Sequence, residues 1–338
     1  QRETVINIAR LLNYTPSNAL PASGTVKFFN TNASNAVIPK GTVVATDPDQ
    51  DGNRVFFETT EDASQVLIGG PVIGTGYSGT TFTITLTEAP DLTAGDSIYV
   101  SGLTYTGKNP NGTFVSTAVS TTAPYSVSYT LSLTPGTVTY SSLTEVSKAG
   151  LSSIPYNTQT ASIGIIQGLS VSQEEIGISD GTPNQLMTIS RTPVIQDSTL
   201  SVTVGTRAYK YVPHLVDSGI DDEVFSLITD GNGYTYVVFG NGVSGKIPPV
   251  GISVYCTYRY GGGKSGNLGS DSLTTLTNGP SGVEVSQESP TYGGADPEST
   301  DSIRLNAPTA LRSVNRAVSL LDYANLAIQV SGVAKAIA

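Results

Sequence analysis

From Gly24 to Tyr260 the chain reads as short runs of β-branched, aromatic and aliphatic residues, each closed within a few positions by Gly, Pro, Asn or Asp. That punctuation limits the possible folds more than any other feature. A run of this length makes one strand, and the turn residue after it reverses the backbone before a helix of useful length can form. In Thr81-Phe82-Thr83-Ile84-Thr85-Leu86 polar and apolar residues alternate, so every second side chain faces a core. Further strands are expected at Thr25–Phe29, Gly41–Ala45, Arg54–Glu58, Ile163–Val171, Leu200–Val204, Tyr234–Phe239 and Ile252–Tyr260. Asp230-Gly231-Asn232-Gly233 supplies the residues that accept positive φ in a tight hairpin turn.

Helical periodicity is confined to the two ends. Val5, Ile8, Ala9 and Leu12 recur at helical spacing after Thr4, a capping residue type, and Pro16 lies beyond the end. Asp296-Pro297-Glu298 places a second capping residue before a proline suited to the first helical position. Pro308 is expected to interrupt or kink the helix, and Leu311, Val314 and Val318 beyond it form an apolar stripe. Ser319-Leu320-Leu321-Asp322 resembles a capping box that opens another helix. The expected fold class is mainly β with an α+β terminal region: a multidomain, β-rich body with an inserted small β-sandwich or barrel and short helices at both ends. Residues 1–70 give the N-terminal helix and the first strands of the body. Residues 71–147, rich in Ser and Thr, form the inserted β domain, 148–291 the second β-rich part of the body, and 292–338 a helical C-terminal region.

Composition removes several function classes. Seventeen basic against 27 acidic residues give a net charge of -10, and no Lys/Arg cluster is present to neutralise a row of phosphates, so nucleic acid is not an expected partner. No apolar run reaches the ~18 residues of a membrane span, and Gln1-Arg2-Glu3 does not open a signal peptide; membrane insertion is not expected. A single cysteine, Cys256, excludes an internal disulfide and Cys/His zinc sites, and its alternating run Val254-Tyr255-Cys256-Thr257-Tyr258 reads as a buried packing thiol. Low charge with abundant Ser and Thr suits a surface covered by neighbouring chains.

Three motifs suggest chemistry, and local context weighs against each. Asp47-Pro48-Asp49-Gln50-Asp51-Gly52 through Glu58 fits a calcium loop, with Asp47, Asp49, Asp51 and Glu58 as candidate ligands. An EF-hand needs flanking helices, whereas β-type runs lie on both sides here, so a solvated hairpin tip is the competing reading. Gly240-Asn241-Gly242-Val243-Ser244-Gly245 has the spacing of a dinucleotide loop, but Pro248-Pro249 prevents the helix that would present its amides to a phosphate. Gly177-Ile178-Ser179-Asp180-Gly181 has nucleophile-elbow spacing and His214 is the one histidine, yet Thr182-Pro183-Asn184 continues as a turn. Scattered carboxylates neither show nor exclude a glycosidase pair. No catalytic residues, cofactor or metal site are therefore expected, and the chain is read as a non-enzyme.

Four blocks, in order, resemble the baseplate J-like family, whose members build the wedges of contractile phage tails and related injection machines. They are Ile38-Pro39-Lys40-Gly41-Thr42 leading to Val55–Asp62; Gly181-Thr182-Pro183-Asn184-Gln185; Val238–Gly251 running on to Tyr258–Gly263 and Gly266-Asn267; and Gly293–Ser299 with Ile303-Arg304, Ala307-Pro308, Arg316–Val318 and Asp322-Tyr323. The inserted stretch matches nothing in that pattern, and the family usually continues where this chain reaches Ala338.

The resemblance implies a structural wedge subunit of a virion tail baseplate, assembled in the host cytoplasm, whose partners are other wedge and hub proteins and a second copy of the chain. Short amphipathic helices at chain ends are marginal alone and gain stability by packing, which makes them the expected joining elements. The candidate interface residues are Val5, Ile8 and Leu12 at one end, and Arg304, Leu311, Arg312, Val314, Arg316, Val318, Asp322 and Tyr323 at the other. Two other readings compete: the inserted domain as a module that contacts the host surface, and a wall-degrading enzyme. The absence of Trp, with aromatics at 7%, weakens sugar stacking by such a module.

Overall fold

The computed structural model describes residues 2–11, 14, 16–132, 135–141, 144–151, 153–313, 323, 327 and 336–337. It is mostly β, with two α-helices among the described residues: α1 (Arg2–Leu11) and α2 (Thr300–Ser313). Two units of tertiary structure emerge, each assembled from distant stretches of chain: residues 24–166 with 269–290, and residues 1–23 with 167–268 and 291–338.

The first unit contains a six-stranded sheet in the order Leu273–Leu276, Val43–Thr46, Phe56–Thr59, Ile163–Gln167, Ser23–Asn30, Val283–Ser286. Local hairpin chemistry explains one of its pairings, the antiparallel register of Val44 opposite Phe57 across the Asp47–Asn53 tip. The pairing of Phe28 with Val285 closes more than 250 residues of chain and is decided by burial. Val26, Phe28, Val44 and Phe57 are all nearly inaccessible to solvent. Each such large apolar side chain contributes roughly 1.5–3 kcal/mol on burial.

The same unit holds a seven-stranded sheet, drawn mostly from the stretch expected to be inserted but including Val66–Leu67 outside it, in the order Val66–Leu67, Glu145–Lys148, Ser97–Ser101, Gly112–Ser120, Ser126–Thr130, Thr81–Leu86, Val72–Ser78. The sheet curls around one core that includes Phe82, Ile84, Leu86, Ile98, Val100, Val127, Tyr129 and Val146. Tyr129 is its centre, stacked on Phe114 at 4.3 Å and donating its hydroxyl to the Pro110 carbonyl at 2.6 Å. The strand Thr81–Leu86 has the expected bounds, and Phe82, Ile84 and Leu86 face inward as its alternation requires.

The second unit is a β-barrel-like sheet: Leu169–Ile178, Ser253–Tyr260, Ser201–Val204, Arg207–Tyr211, Val224–Thr229, Thr235–Phe239, Leu186–Thr188, with Val194–Ile195 also pairing Ser253–Tyr260. Its core gathers Val202, Tyr209, Phe225, Val237, Phe239, Val254, Cys256 and Tyr258. Cys256 is fully buried there, and burial first, then the Glu174 carboxylate, pushes its thiol up to about 12. The single expected strand Ile163–Val171 is two strands. Gly168 divides them at φ +118, where a Cβ would stand 2.6 Å from the Tyr260 carbonyl oxygen.

The helices depart from the sequence expectation in their limits. α1 begins at Arg2 and includes Thr4 in its first turn, so Thr4 does not cap it. α2 begins after Ser299, whose Oγ accepts the Ser302 amide at 3.1 Å as an N-cap, three residues beyond the expected Asp296. It then runs through Pro308 to Ser313. The helix expected to open at Ser319-Leu320-Leu321-Asp322 lies outside the described residues.

Candidate functional site

The third and fourth sequence blocks meet in space. Leu20 and Ala295 exchange both backbone hydrogen bonds, at 2.8 and 3.1 Å, and Ser23 and Tyr292 do the same at 2.8 and 3.0 Å. The Asn267 side-chain amide donates to the Gly294 carbonyl and accepts from the Gly294 amide, both at 2.8 Å. A Cβ on Gly294 would lie 2.5 Å from the Gly263 carbonyl oxygen, and one on Gly266 would strike the Gln167 side chain. Glycine is required at both positions because backbone or a buried amide occupies the space a side chain would fill. Gln167 is itself buried, with Oε1 accepting the Ala22 amide at 3.0 Å. Asp296 closes the edge by accepting the Lys264 amide at 3.0 Å and pairing its ammonium at 3.2 Å, which together hold the carboxyl below its ordinary pKa.

This junction roots the two terminal helices. Glu298 accepts the Tyr14 hydroxyl on both oxygens, at 2.8 and 2.9 Å, and the Asn306 side-chain amide at 2.8 Å; its backbone amide donates to Ser17 at 2.9 Å. Burial first, then the Glu298 carboxylate, pushes the Tyr14 hydroxyl up to about 12. Ile6 and Ala9 of α1 and Ile303 and Ala307 of α2 form a small core, with Val5 and Tyr14 packed against it. The turn of the Asp230–Gly233 hairpin comes against the first turn of α1: a Cβ on Gly231 would lie 2.6 Å from Glu3 Cα.

At 3.6 residues per turn, positions two apart face nearly opposite directions. Ile8 therefore points away from Ile6 and is 53% exposed, and Leu305 points away from Ile303 and is 74% exposed. Of the expected interface residues, Val5 is half-buried in the helix pair and Ile8 is on its outer face. Arg304 is exposed and pairs within its own helix with Asp301 at 3.2 Å. Leu311 and Arg312 fall within α2, and Tyr323 is exposed. The side chains of Leu311 and Arg312, together with Leu12, Val314, Arg316, Val318 and Asp322, lie outside the described residues.

A second polar cluster was not anticipated. Lys27, buried in its strand, pairs with Glu145 of the inserted domain at 2.8 Å and with Glu288 at 3.0 Å. Glu145 also accepts the Ser162 hydroxyl at 3.0 Å. Burial alone would lower the Lys27 pKa, but the two carboxylates outweigh it and hold the ammonium above its ordinary value. The cluster borders a cavity of about 250 Å³ lined further by Thr25, Ser101, Ser286 and Ser289. A lysine set between Val26 and Phe28 in an otherwise apolar run was the available signal.

The motifs that suggested chemistry are structural turns. Asp49 accepts the Asp51 and Asn53 amides at 2.9 and 2.7 Å, and these backbone donors, Asn53 foremost, depress its pKa. Asp47 turns to the Thr274 hydroxyl, and Glu58 is buried in the strand that the hairpin feeds. No group of three His, Cys, Asp or Glu that could hold a metal occurs among the described residues. Asn241 accepts the Val243 and Ser244 amides, and Gly240 is pressed against Gly245, closing a turn with no helix behind it. The Ser179 hydroxyl donates to the Pro248 carbonyl at 2.9 Å and receives the Gln185 amide at 3.1 Å; His214 is exposed and is not among its partners.

No family model matches the chain, and no curated protein matches it. Among solved structures it is similar to a chain of the anti-feeding prophage (AFP) baseplate, at 15% identity and TM-score 0.38, over 97% of this chain and 46% of that one. It is also similar to a chain of the type VI secretion system TssK-TssF-TssG baseplate subcomplex, at 10% identity and TM-score 0.42, over 94% of this chain and 74% of that one. The chain thus spans about half the length of the prophage protein. Both structural neighbours are baseplate components of contractile injection machines. No helix among the described residues is long and apolar enough to cross a membrane.

Proposed function

We propose that this chain is a non-catalytic structural subunit of a contractile-tail baseplate, a wedge component that joins its neighbours through the α1–α2 pair. The observation that carries this reading is the convergence of the third and fourth sequence blocks. Residues roughly 30 positions apart in the chain form one glycine-lined junction, and its purpose in the fold is to fix the root of α2 and the strand entry after α1. The end of the third block and the start of the fourth thus share one structural element.

The helix pair suits a joining role. Among the described residues it buries four small or aliphatic side chains internally, and Ile8 and Leu305 are exposed, where a second copy or a wedge partner gains apolar contact. Because both side chains are exposed, Ile8→Asp with Leu305→Asp leaves the fold intact and reads assembly alone. In cells that produce the particle, the double variant is expected to give soluble chain and no completed baseplates by electron microscopy. Normal baseplates from that variant would remove the helix pair from the joining role.

The inserted domain offers a second reading, a tail-associated module that contacts the host surface. Its edge strand Val72–Ser78 carries exposed Ile73 and Tyr77. A deletion that separates the two readings must stop short of Glu145, because Lys27 would otherwise lose its closest partner. Removal of residues 72–143 with assembly retained and host attachment lost would favour the module.

A further inference from the structure

We propose that one loop end of the 167–268 barrel is a docking surface for a second protein, one whose contact face is apolar at its centre and basic at its rim. The inference stands on this barrel's own geometry and is independent of the baseplate reading. Three loops gather at that end and are tied to one another by backbone. Gly245 donates to the Gly219 carbonyl at 3.1 Å and Lys246 to the Asp222 carbonyl at 2.9 Å, while Gly251 donates to the Ser179 carbonyl at 2.7 Å. The buried Ser179 hydroxyl adds a bond to Pro248 at 2.9 Å. The loops are held before any partner arrives, which reduces the ordering cost of binding.

These loops present β-branched aliphatics where turn chemistry calls for polar residues. Val243 is 76% exposed, Val216 75%, Val250 72% and Ile220 62%. Summed over the three tied loops they expose on the order of 400 Å² of apolar surface, comparable to the largest patch on a typical monomer, which is often functional. The surrounding charge is one-sided. Asp180, Asp217 and Asp221 are exposed in the same loops, and the adjoining cations, Lys246 and Arg207, are both paired with Glu223, at 2.9 and 2.7 Å.

That asymmetry selects the occupant. A second copy docked through a two-fold axis would set this acidic rim against itself, at a cost that the apolar centre would have to overcome. A partner with Lys or Arg around an apolar centre meets both features at once, and the acidic rim speeds its approach.

The test uses the whole purified chain with two amphipathic 18-residue peptides as probes, one of Leu and Lys, the other of Leu and Glu. The Leu/Lys peptide is expected to bind at least tenfold more tightly, and the advantage should shrink as salt rises. Val216→Ser/Ile220→Ser/Val243→Ser should lower its affinity at least tenfold with an unchanged melting temperature, and Val243→Ser alone should give a smaller loss. Asp217→Asn/Asp221→Asn should weaken the Leu/Lys peptide several-fold and strengthen the Leu/Glu peptide, narrowing the gap between them. Equal binding of the two peptides, or undiminished binding by the serine variants, would overturn the proposal. So would a dimer in sedimentation velocity that the same serine variants abolish, since the occupant would then be a second copy.

Discussion

Lys27→Met tests whether the six- and seven-stranded sheets are fastened together by charge. The substitution keeps the apolar stem and removes the ammonium, leaving Glu145 only 15% exposed with Ser162 as its remaining polar partner. Breaking a buried pair by deleting one member costs roughly 3–5 kcal/mol, because the surviving charge stays desolvated. The neighbouring cavity admits some solvent, which places this case near the lower end, at about 3 kcal/mol. The Glu288 arm, 54% exposed, adds at most about 1 kcal/mol. For a unit of this size each kcal/mol shifts the midpoint by roughly 2–4 °C, so a total of about 3–4 kcal/mol should lower the Lys27→Met melting temperature by about 6–16 °C in calorimetry. Glu145→Gln keeps a polar group beside Ser162 and leaves Lys27 with Glu288, and should cost about 1 kcal/mol. Combining the two removes the stranded charge, so the double variant should be about 2 kcal/mol more stable than the sum of the singles predicts. Additive losses, or a Lys27→Met cost below about 1 kcal/mol, would refute the claim that this pair holds the two sheets together.

The geometry sets three further outcomes. Tyr14→Phe removes a hydroxyl bonded to both oxygens of Glu298; it should cost about 1.5–3 kcal/mol, read as faster amide hydrogen exchange in α1 with the barrel amides unchanged. Gly294→Ala places a methyl 2.5 Å from a carbonyl oxygen and should destabilise by about 1–3 kcal/mol in urea titration, whereas Gly269→Ala, which meets nothing within 4 Å, should not. Stability should also fall in acid. Asp49, Asp96, Asp180, Glu223 and Asp296 all have folded pKa values below the ordinary 3.8 or 4.5. Groups of this kind stabilise the fold above those values and lose the contribution as pH falls through the depressed ones, so the melting temperature should begin to drop below about pH 4.5. Lys27 has the opposite sign: its raised pKa stabilises at neutral pH and is lost only above 10.5.

Much of the candidate site was legible as residues but not as an arrangement. Gly263, Gly266, Asn267 and Gly294 stood out as members of the third and fourth blocks and Asp296 as a helix-capping residue, and nothing in their spacing said that Asn267 would clasp Gly294. Glu298 was visible only as the neighbour of a helix start, and Tyr14 carried no signal, because their bond spans 284 positions. The helix faces show the same limit. Val5, Ile8, Ala9 and Leu12 fit an apolar stripe along α1; Val5 and Ala9 do pack inward, yet Ile6 is buried and Ile8 exposed, since the packed face is chosen by Ile303 and Ala307 on a helix almost 300 residues away.

What the sequence determined by itself is what a few consecutive residues can decide: the strand Thr81–Leu86 from its alternation, the Asp230–Gly233 turn, in which Gly233 alone takes positive φ, and the burial of Cys256 from its place in an alternating run. The tertiary structure alone decided which strands became neighbours. Ser23–Asn30 lies between Ile163–Gln167 and Val283–Ser286, and Lys27 thereby meets Glu145 and Glu288. The physical reason is that a strand's alternation is written in its own side chains, while its partner is selected by competition among all apolar faces in the chain, and by the penalty for leaving a buried charge unmatched.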